Sequence, residues 1–250
     1  MDFKTDSGEF TNKSLEENRI LEKLKYILKE NLEPQNIDLS LNNFIMTAVT
    51  RQSLSRAIYY NDLFQKIINV PGEILEFGVH WGNTISLLTN LRGIYEPYNY
   101  SRKIIGFDTF EGFPNTTDKD GKFSEIGDFK ITENYKSILE EILNLHEKNA
   151  PLPHIKKHEL VEGDICQTLE PWLERNPHLI VSMAIIDVDV YSPTAHILDK
   201  IIPRLTKGSL LVFDELNHPK YPGETLAVIE KLGLNNLKLR KNPHQTFCSY

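Results

Sequence analysis

Two short apolar runs end abruptly in carboxylates: Ala184-Ile-Ile-Asp187-Val-Asp189-Val-Tyr191 and Leu210-Leu-Val-Phe-Asp214-Glu215. A continuous apolar run suits a strand buried on both faces of a parallel sheet. Acids placed where such a strand stops lie at its carboxyl end, where open α/β sheets hold their ligands. Between the runs, Ser192 to Leu205 is helix-like and Lys207-Gly208 makes a turn, so the unit reads β-α-β. Asp187 and Asp214 are then expected on adjacent parallel strands about 5 Å apart. Two bare carboxylates about 4 Å apart repel by roughly 4 kcal/mol at an effective dielectric of about 20. The cluster of Asp187, Asp189, Asp214 and Glu215 therefore calls for a cation, a shared proton or water, and a cation is favoured.

Other strand-to-loop junctions carry residues that suit a cofactor. Glu76-Phe-Gly78-Val79-His80-Trp81-Gly82-Asn83-Thr84 follows an apolar strand and opens a helix. Gly78 lets the backbone turn tightly against a ligand, and Gly82 permits close approach where Asn83 and Thr84 begin the helix. The free N–H groups and positive dipole end of that helix favour an anionic or carboxylate-bearing group. The spacing is Gly-x-x-x-Gly, which departs from the Gly-x-Gly-x-x-Gly dinucleotide fingerprint. An acid two residues before the first glycine, here Glu76, is common in S-adenosylmethionine sites. In Gly106-Phe107-Asp108-Thr109, Asp108 stands where nucleotide sites place the acid that hydrogen-bonds ribose hydroxyls. At Glu162-Gly163-Asp164-Ile165, Asp164 and apolar Ile165 can meet an adenine edge. Each junction also has a plainer reading as a tight β-α turn, a turn aspartate or a helix cap.

Positioning these residues requires alternating strands and helices. Strands are expected at 73–79, 103–108, 157–162, 183–190 and 209–213, and helices at 83–92, 133–147, 166–175, 194–205 and 224–232. Two short strands near Leu237–Arg240 and Thr246–Tyr250 would finish the sheet as an antiparallel pair. The pattern predicts an α/β fold, a doubly wound, seven-stranded, mainly parallel sheet. Before it stands a helical preface over residues 1–70, and residues 71–250 form the main domain. The preface opens with a capping-box pattern, Ser14 with Glu17, ahead of Ile20, Leu21, Leu24, Ile27 and Leu28 at helical spacing. A second helical stretch runs from about Leu41 to Asn69, its apolar positions including Phe44, Ile45, Leu54, Ile58, Leu63, Phe64 and Ile67. The polar span from Asn115 to Thr132 reads as a mobile loop near the site.

The 250 residues suffice for one large α/β domain, and a composition of 40% hydrophobic and 25% charged residues is that of a globular protein. A net charge of −7 disfavours general attraction to nucleic acid or to an anionic membrane. Cys166 and Cys248 show neither CxxC nor metal-ligand spacing and read as reduced thiols. The polar N-terminus does not fit a signal peptide, and no apolar run approaches membrane-spanning length, so a cytoplasmic protein is expected. The three matches to the glycosylation acceptor pattern, at Asn12, Asn99 and Asn115, carry no meaning there. Assembly into a homo-oligomer stays open.

Taken as a set, the motifs carry a resemblance. Pro71-Gly72-Glu-Ile-Leu-Glu76-Phe-Gly78-Val79, Gly106-Phe-Asp108-Thr-Phe-Glu111-Gly112-Phe-Pro114, Gly163-Asp-Ile, Asp187-Val-Asp189-Val-Tyr191-Ser-Pro-Thr194 and Phe213-Asp214-Glu215 followed by Tyr221-Pro222-Gly223 occur in this order. From about residue 45 onward, the chain resembles the macrocin O-methyltransferase (TylF-like) family of class I S-adenosylmethionine-dependent enzymes. That family methylates sugar hydroxyls, typically on deoxysugars of antibiotics, with a magnesium ion. The resemblance implies Asp187, Asp214 and Glu215 as ligands of Mg2+ or another divalent cation, and Asp189 as the general base. Many members carry two aspartates where this chain has Asp214-Glu215; glutamate is also an oxygen ligand for a hard cation. Thr47-Ala-Val-Thr50-Arg51 sits where relatives place a helical lid over the cofactor.

The chemistry this implies is methyl transfer to a hydroxyl oxygen aligned behind the sulfonium methyl. A cation bound to acceptor hydroxyls would position them and lower their pKa, and a nearby carboxylate would take the proton. His218, on the loop after Glu215, is the rival base. Asp189 is placed on the same side of a strand as Asp187 by their two-residue spacing. Tyr191, Trp81 and His80 suit either the pocket or the core. Asp118-Lys-Asp120-Gly121 lacks the remaining ligands of a calcium loop. The expected substrate is a small-molecule acceptor, a sugar or similar polyhydroxylated compound. Alternatives are a catechol-like diol as acceptor, a nucleotide-dependent oxidoreductase, and a catalytically silent scaffold.

Overall fold

The computed structural model describes residues 3–4, 10–11, 23, 26, 47–242 and 249–250. Lys23 and Tyr26 are helical, as the pattern over Ile20 to Leu28 requires, but the rest of that stretch, the capping box at Ser14, the positions Phe44 and Ile45, and Cys248 lie outside the described residues.

The first long helix, α1 (Arg51–Ile67), starts where the Thr50 hydroxyl accepts the Ser53 N–H at 3.2 Å, an N-cap that satisfies one of the open donors of the first turn. It buries Tyr60, Leu63, Phe64 and Ile67 at i, i+3, i+4 and i+7. Leu54 and Ile58, expected on that apolar face, fall on the opposite one and are exposed. Strand and helix then alternate: β1 (Glu73–Phe77), α2 (Asn83–Tyr95), β2 (Ile104–Asp108), α3 (Tyr135–Lys148), β3 (His158–Glu162), α4 (Ile165–Arg175), β4 (Val181–Ile186), α5 (Tyr191–Ile201), β5 (Leu205–Phe213) and α6 (Pro222–Lys231).

The five strands pair in the order β3-β2-β1-β4-β5, every pair parallel. Seven strands were expected; among the described residues the sheet has five. Of the anticipated C-terminal pair, the described residues show single bridges from Ser249 to Phe213 and to Lys241, and most of its second strand lies outside them. All six residues of β4 are buried, as its apolar run demands. Side-chain alternation divides the core in two. Ile74 and Ile104 face α1, α2 and α3, whereas Leu75, Phe77, Ile105 and Phe107 face α4, α5 and α6. The strand order reverses between β1 and β4, the switch point at which an open α/β sheet splits into a crevice.

Buried ion pairs tie the layers. Arg102, 3% exposed, sends Nη1 to the Gly72 carbonyl and the Ser182 hydroxyl and Nη2 to the Ile67 and Val70 carbonyls, while Nε meets Glu96. Glu147 near the end of α3 holds Arg92 Nη2 at 2.6 Å and Lys157 Nζ at 2.8 Å, docking α2 and the start of β3. Among the described residues no helix is long and apolar enough to cross a membrane.

Candidate active site

Gly78 sits at φ 91° directly after β1. A Cβ there would lie 1.8 Å from the Asp187 carbonyl oxygen, so only glycine lets the ends of β1 and β4 approach this closely. The Asp187 N–H extends the ladder to Phe77 O at 2.9 Å. One strand over, Asp108 closes β2 and binds two backbone donors. Its Oδ2 accepts from His80 N at 2.8 Å and its Oδ1 from Phe110 N at 2.6 Å. Those bonds lock the loop after β1, where His80 takes φ 49°. An ionised carboxylate has about four lone-pair sites, so two remain for a ligand.

These ends open onto a cleft whose empty space, open solvent included, is about 740 Å³. Gly78, His80, Asp108, Thr109, Asp164, Ile165, Asp187 and Asp189 line it, and Phe113, Phe129 and Val188 supply apolar walls. The structure thus brings together most of the residues singled out for a cofactor. Glu76, Val79, Gly82, Asn83, Thr84 and Gly163 do not line the cleft. Val79 is 3% exposed in the core, and the bare edge of Gly82 faces Leu139, whose Cδ1 would be 2.3 Å from a Cβ. Packing of α3 therefore accounts for Gly82. Gly163, at φ 123°, makes the turn into α4, which Asp164 caps by accepting Cys166 N at 2.9 Å.

Beside the cleft the acids converge. Ile186 pairs with Phe213, so Asp187 and Asp214 leave neighbouring parallel strands side by side. β4 stops at Ile186, four residues short of the expected end, and Asp189 turns into the left-handed region at φ 58°. The same-side-of-a-strand reading of Asp187 and Asp189 is thereby corrected: a tight turn places Asp189, its Val190 N–H bonding Val188 O at 2.6 Å. Glu76 enters from β1, 2% exposed, and its Oε2 makes no hydrogen bond among the described residues. Glu224 enters from α6, fully buried, and accepts the Glu215 N–H at 3.0 Å.

Burial and mutual repulsion raise five of them, Asp187, Asp189, Glu215, Glu76 and Glu224. Burial and the Asp214 charge push Asp187 well above the carboxylate range despite the Arg56 guanidinium. The same two causes lift Asp189 to about 7. Burial, then Asp189, Asp214 and Asp187, raise Glu215 to about 10. Burial also raises Glu76 and Glu224. Arg56 is the countercharge, a residue that nothing in its local sequence singles out. It reaches from α1 to Thr84 Oγ1 through Nη2 at 2.8 Å and to Asp187 Oδ2 at 3.4 Å.

His218 is placed by its own loop. Its Nδ1 accepts from Lys220 N and Tyr221 N, each at 3.3 Å, and lies 3.6 Å from Glu215 Oε2. Burial and Lys220 lower its pKa, which favours the neutral ring. Among the described residues no three His, Cys, Asp or Glu side chains stand close enough to hold a metal ion as they are arranged. The donor set of Asp187, Asp214 and Glu215 is nonetheless all carboxylate oxygen, the chemistry of a hard divalent cation. Glu215 Oε2 is buried without a hydrogen bond among the described residues.

Comparison with known proteins agrees with this architecture. The family model described as macrocin O-methyltransferase (TylF) matches residues 43–225. A crystal structure of CalS11, described as a calicheamicin methyltransferase, is 36% identical with a TM-score of 0.90, covering 98% of this chain and 95% of that one. An apo structure of CalS11, described as a TDP-rhamnose 3′-O-methyltransferase of calicheamicin biosynthesis, is 33% identical with a TM-score of 0.83, covering 96% and 95%. The O-methyltransferase NovP shares the fold at 20% identity and a TM-score of 0.56, covering 78% of each chain. No curated protein sequence matches the chain. The nucleotide-dependent oxidoreductase reading is set aside. The chain belongs to the macrocin O-methyltransferase (TylF) family and is an S-adenosylmethionine-dependent O-methyltransferase.

Proposed function

We propose that this enzyme methylates a hydroxyl of a sugar, or of a similarly polyhydroxylated small molecule, with the help of a divalent cation such as Mg2+. The observation that carries the reading is the position of the acid cluster. Asp187 and Asp189 line the same cleft as Gly78, Asp108, Asp164 and Ile165, so the acids adjoin the residues this reading gives to the cofactor. The description of CalS11 as a TDP-rhamnose 3′-O-methyltransferase supports a sugar acceptor.

In this reading Asp108 and Thr109 take the ribose hydroxyls, and Asp164 with Ile165 and the Gly163 turn takes the adenine. Gly78 and His80 with Asp187, backed by Glu76, take the amino-acid end. Asp189 accepts the proton of the acceptor hydroxyl as the oxygen bonds the methyl carbon and the carbon–sulfur bond breaks. The products are a methyl ether and S-adenosylhomocysteine. Asp187, Asp214 and Glu215 would hold the cation, which when bound supplies Lewis acidity that orients acceptor hydroxyls and eases their deprotonation. His218, hydrogen-bonded into its own turn, is the second choice of base.

The test is formation of S-adenosylhomocysteine with nucleotide-linked deoxysugars, free sugars and catechols, in Mg2+ and in chelator. Turnover confined to the sugars and lost in chelator is expected. Turnover on catechol alone would overturn the acceptor class, and undiminished turnover in chelator would overturn the cation.

A further inference from the structure

One buried carboxylate joins the span from Asn115 to Thr132 to the Asp189 turn. Asp120 closes a single 3₁₀ turn, Asp118–Asp120, and is 1% exposed. Its Oδ2 accepts from the Thr117 N–H at 2.6 Å and the Thr117 hydroxyl at 2.9 Å. Its Oδ1 accepts the N–H of Tyr191, two residues beyond Asp189. A left-handed backbone at a residue with a Cβ persists only where its surroundings over-determine it, and Asp189 is such a residue.

The neighbouring packing is shaped around this joint. Gly223 at the start of α6 leaves it room, since a Cβ there would lie 2.3 Å from Asp120 Oδ1 and 2.6 Å from Tyr191 N. On the outside, Lys119 Nζ stands 3.7 Å from the centre of the Tyr191 ring and 2.7 Å from Glu230 Oε1. Phe113, just before the span, and Phe129, within it, wall the cleft.

We propose that Asp120 is a positioning residue for methyl transfer. It fixes the turn that presents the Asp189 carboxylate and couples that turn to the seating of the 115–132 span over the acceptor. The proposal rests on Asp189 as the base. A carboxylate is required because three donors from two segments converge on it. An asparagine keeps the shape but turns an N–H2 toward one of them.

A double-mutant cycle in the full-length enzyme tests it, using Asp120→Asn, Asp189→Asn and the pair, with turnover on the accepted sugar, calorimetry with S-adenosylhomocysteine, and thermal melts. Asp120→Asn is expected to lower kcat about 10- to 100-fold with cofactor affinity unchanged, the scale of a misplaced reacting group. In the Asp189→Asn background it should cost nothing further, because both changes act through one carboxylate. Wild-type kcat in Asp120→Asn, or an equal loss in both backgrounds, overturns the positioning role. Full activity of Asp189→Asn alone overturns the base assignment instead. Should Asp120→Asn fail to fold, Gly223→Ala wedges the same joint without removing the charge. The same kcat loss, absent beside Asp189→Asn, is expected of it, and wild-type kcat would overturn the proposal.

Discussion

Arg56 Nη2 stands 3.4 Å from Asp187 Oδ2, and this is the contact through which α1 reaches the acids at the sheet's switch point. The pair is partly screened, with side chains 27% and 23% exposed. Arg56 is also bonded to Thr84, so one guanidinium ties α1 to the first turn of α2 and to the end of β4. Replacing it leaves Asp187 beside Asp214 and Glu76 without this cation. Arg56→Gln is expected to cost about 1–2 kcal/mol in urea unfolding, below the value for a fully buried pair. Added Mg2+ should stabilise the variant more than the wild type, because a bound cation stabilises in proportion to its preference for the folded state. Equal Mg2+ shifts in both proteins would count against a cation at the acid cluster.

Gly78→Ala should be among the most damaging single changes. The new Cβ would meet backbone, Asp187 O at 1.8 Å and Asp187 C at 2.7 Å, at a φ of 91° that side chains rarely adopt. Relief requires β1 and β4 to part where the cleft is formed. A loss of about 2 kcal/mol or more in denaturant unfolding is expected, together with loss of S-adenosylhomocysteine binding in calorimetry. Gly82→Ala presses only on the flexible Leu139 tip, apart from its own left-handed strain, and should bind cofactor far better than Gly78→Ala.

Much of this was legible because the chemistry sits at strand ends. The apolar run Val181 to Ile186 marks a strand buried on both faces, and Asp187 and Asp214 emerge side by side as the β-α-β reading requires. What was illegible depends on contacts between distant segments. Arg56 lies 131 residues from Asp187, and nothing local distinguishes it from Arg51. The partner of Asp120, Tyr191, is 71 residues away. The span around it is pinned, with Phe113 N bonded to Asp128 O and Gly127 N to Phe113 O, both at 3.0 Å, where polar composition suggested mobility. The turn at Asp189 escaped because Asp187-Val-Asp189-Val is equally good strand sequence, and the break is imposed by α5 and Asp120.

The Glu147 cluster sets the acid limit of the fold. His158, Arg92 and Lys157 hold its carboxyl at about 2 against the opposing effect of burial, from an ordinary value of 4.5. The folded-state pKa is depressed, so the stabilisation is complete above about pH 4.5 and is lost as pH falls toward 2. Its size is about 3.5 kcal/mol at most, at about 1.4 kcal/mol per pKa unit. Glu147→Gln should therefore be destabilised at pH 7 and show a flatter decline of stability between pH 4.5 and 2. Parallel pH profiles for variant and wild type, followed by denaturant unfolding, would refute this role for Glu147.

Asp187 and Asp214 differ in what else they do, and neither is needed to hold the fold together as a charge. Asp187 also pairs with Arg56 and lines the cleft, whereas Asp214 leaves the neighbouring strand beside it. Asp214→Asn keeps the side-chain shape and removes one charge from a site where acids repel. It should leave stability near wild type or raise it by up to about 1 kcal/mol, while Mg2+ binding by calorimetry and cation-dependent turnover are both lost. Asp187→Asn should lose the same two properties; it gives up the Arg56 ion pair but also removes a carboxylate that burial and Asp214 disfavour, so its stability should stay near wild type. S-adenosylhomocysteine affinity should survive largely intact in Asp214→Asn. Mg2+ bound as tightly by Asp214→Asn as by the wild type would remove Asp214 from the ligand set.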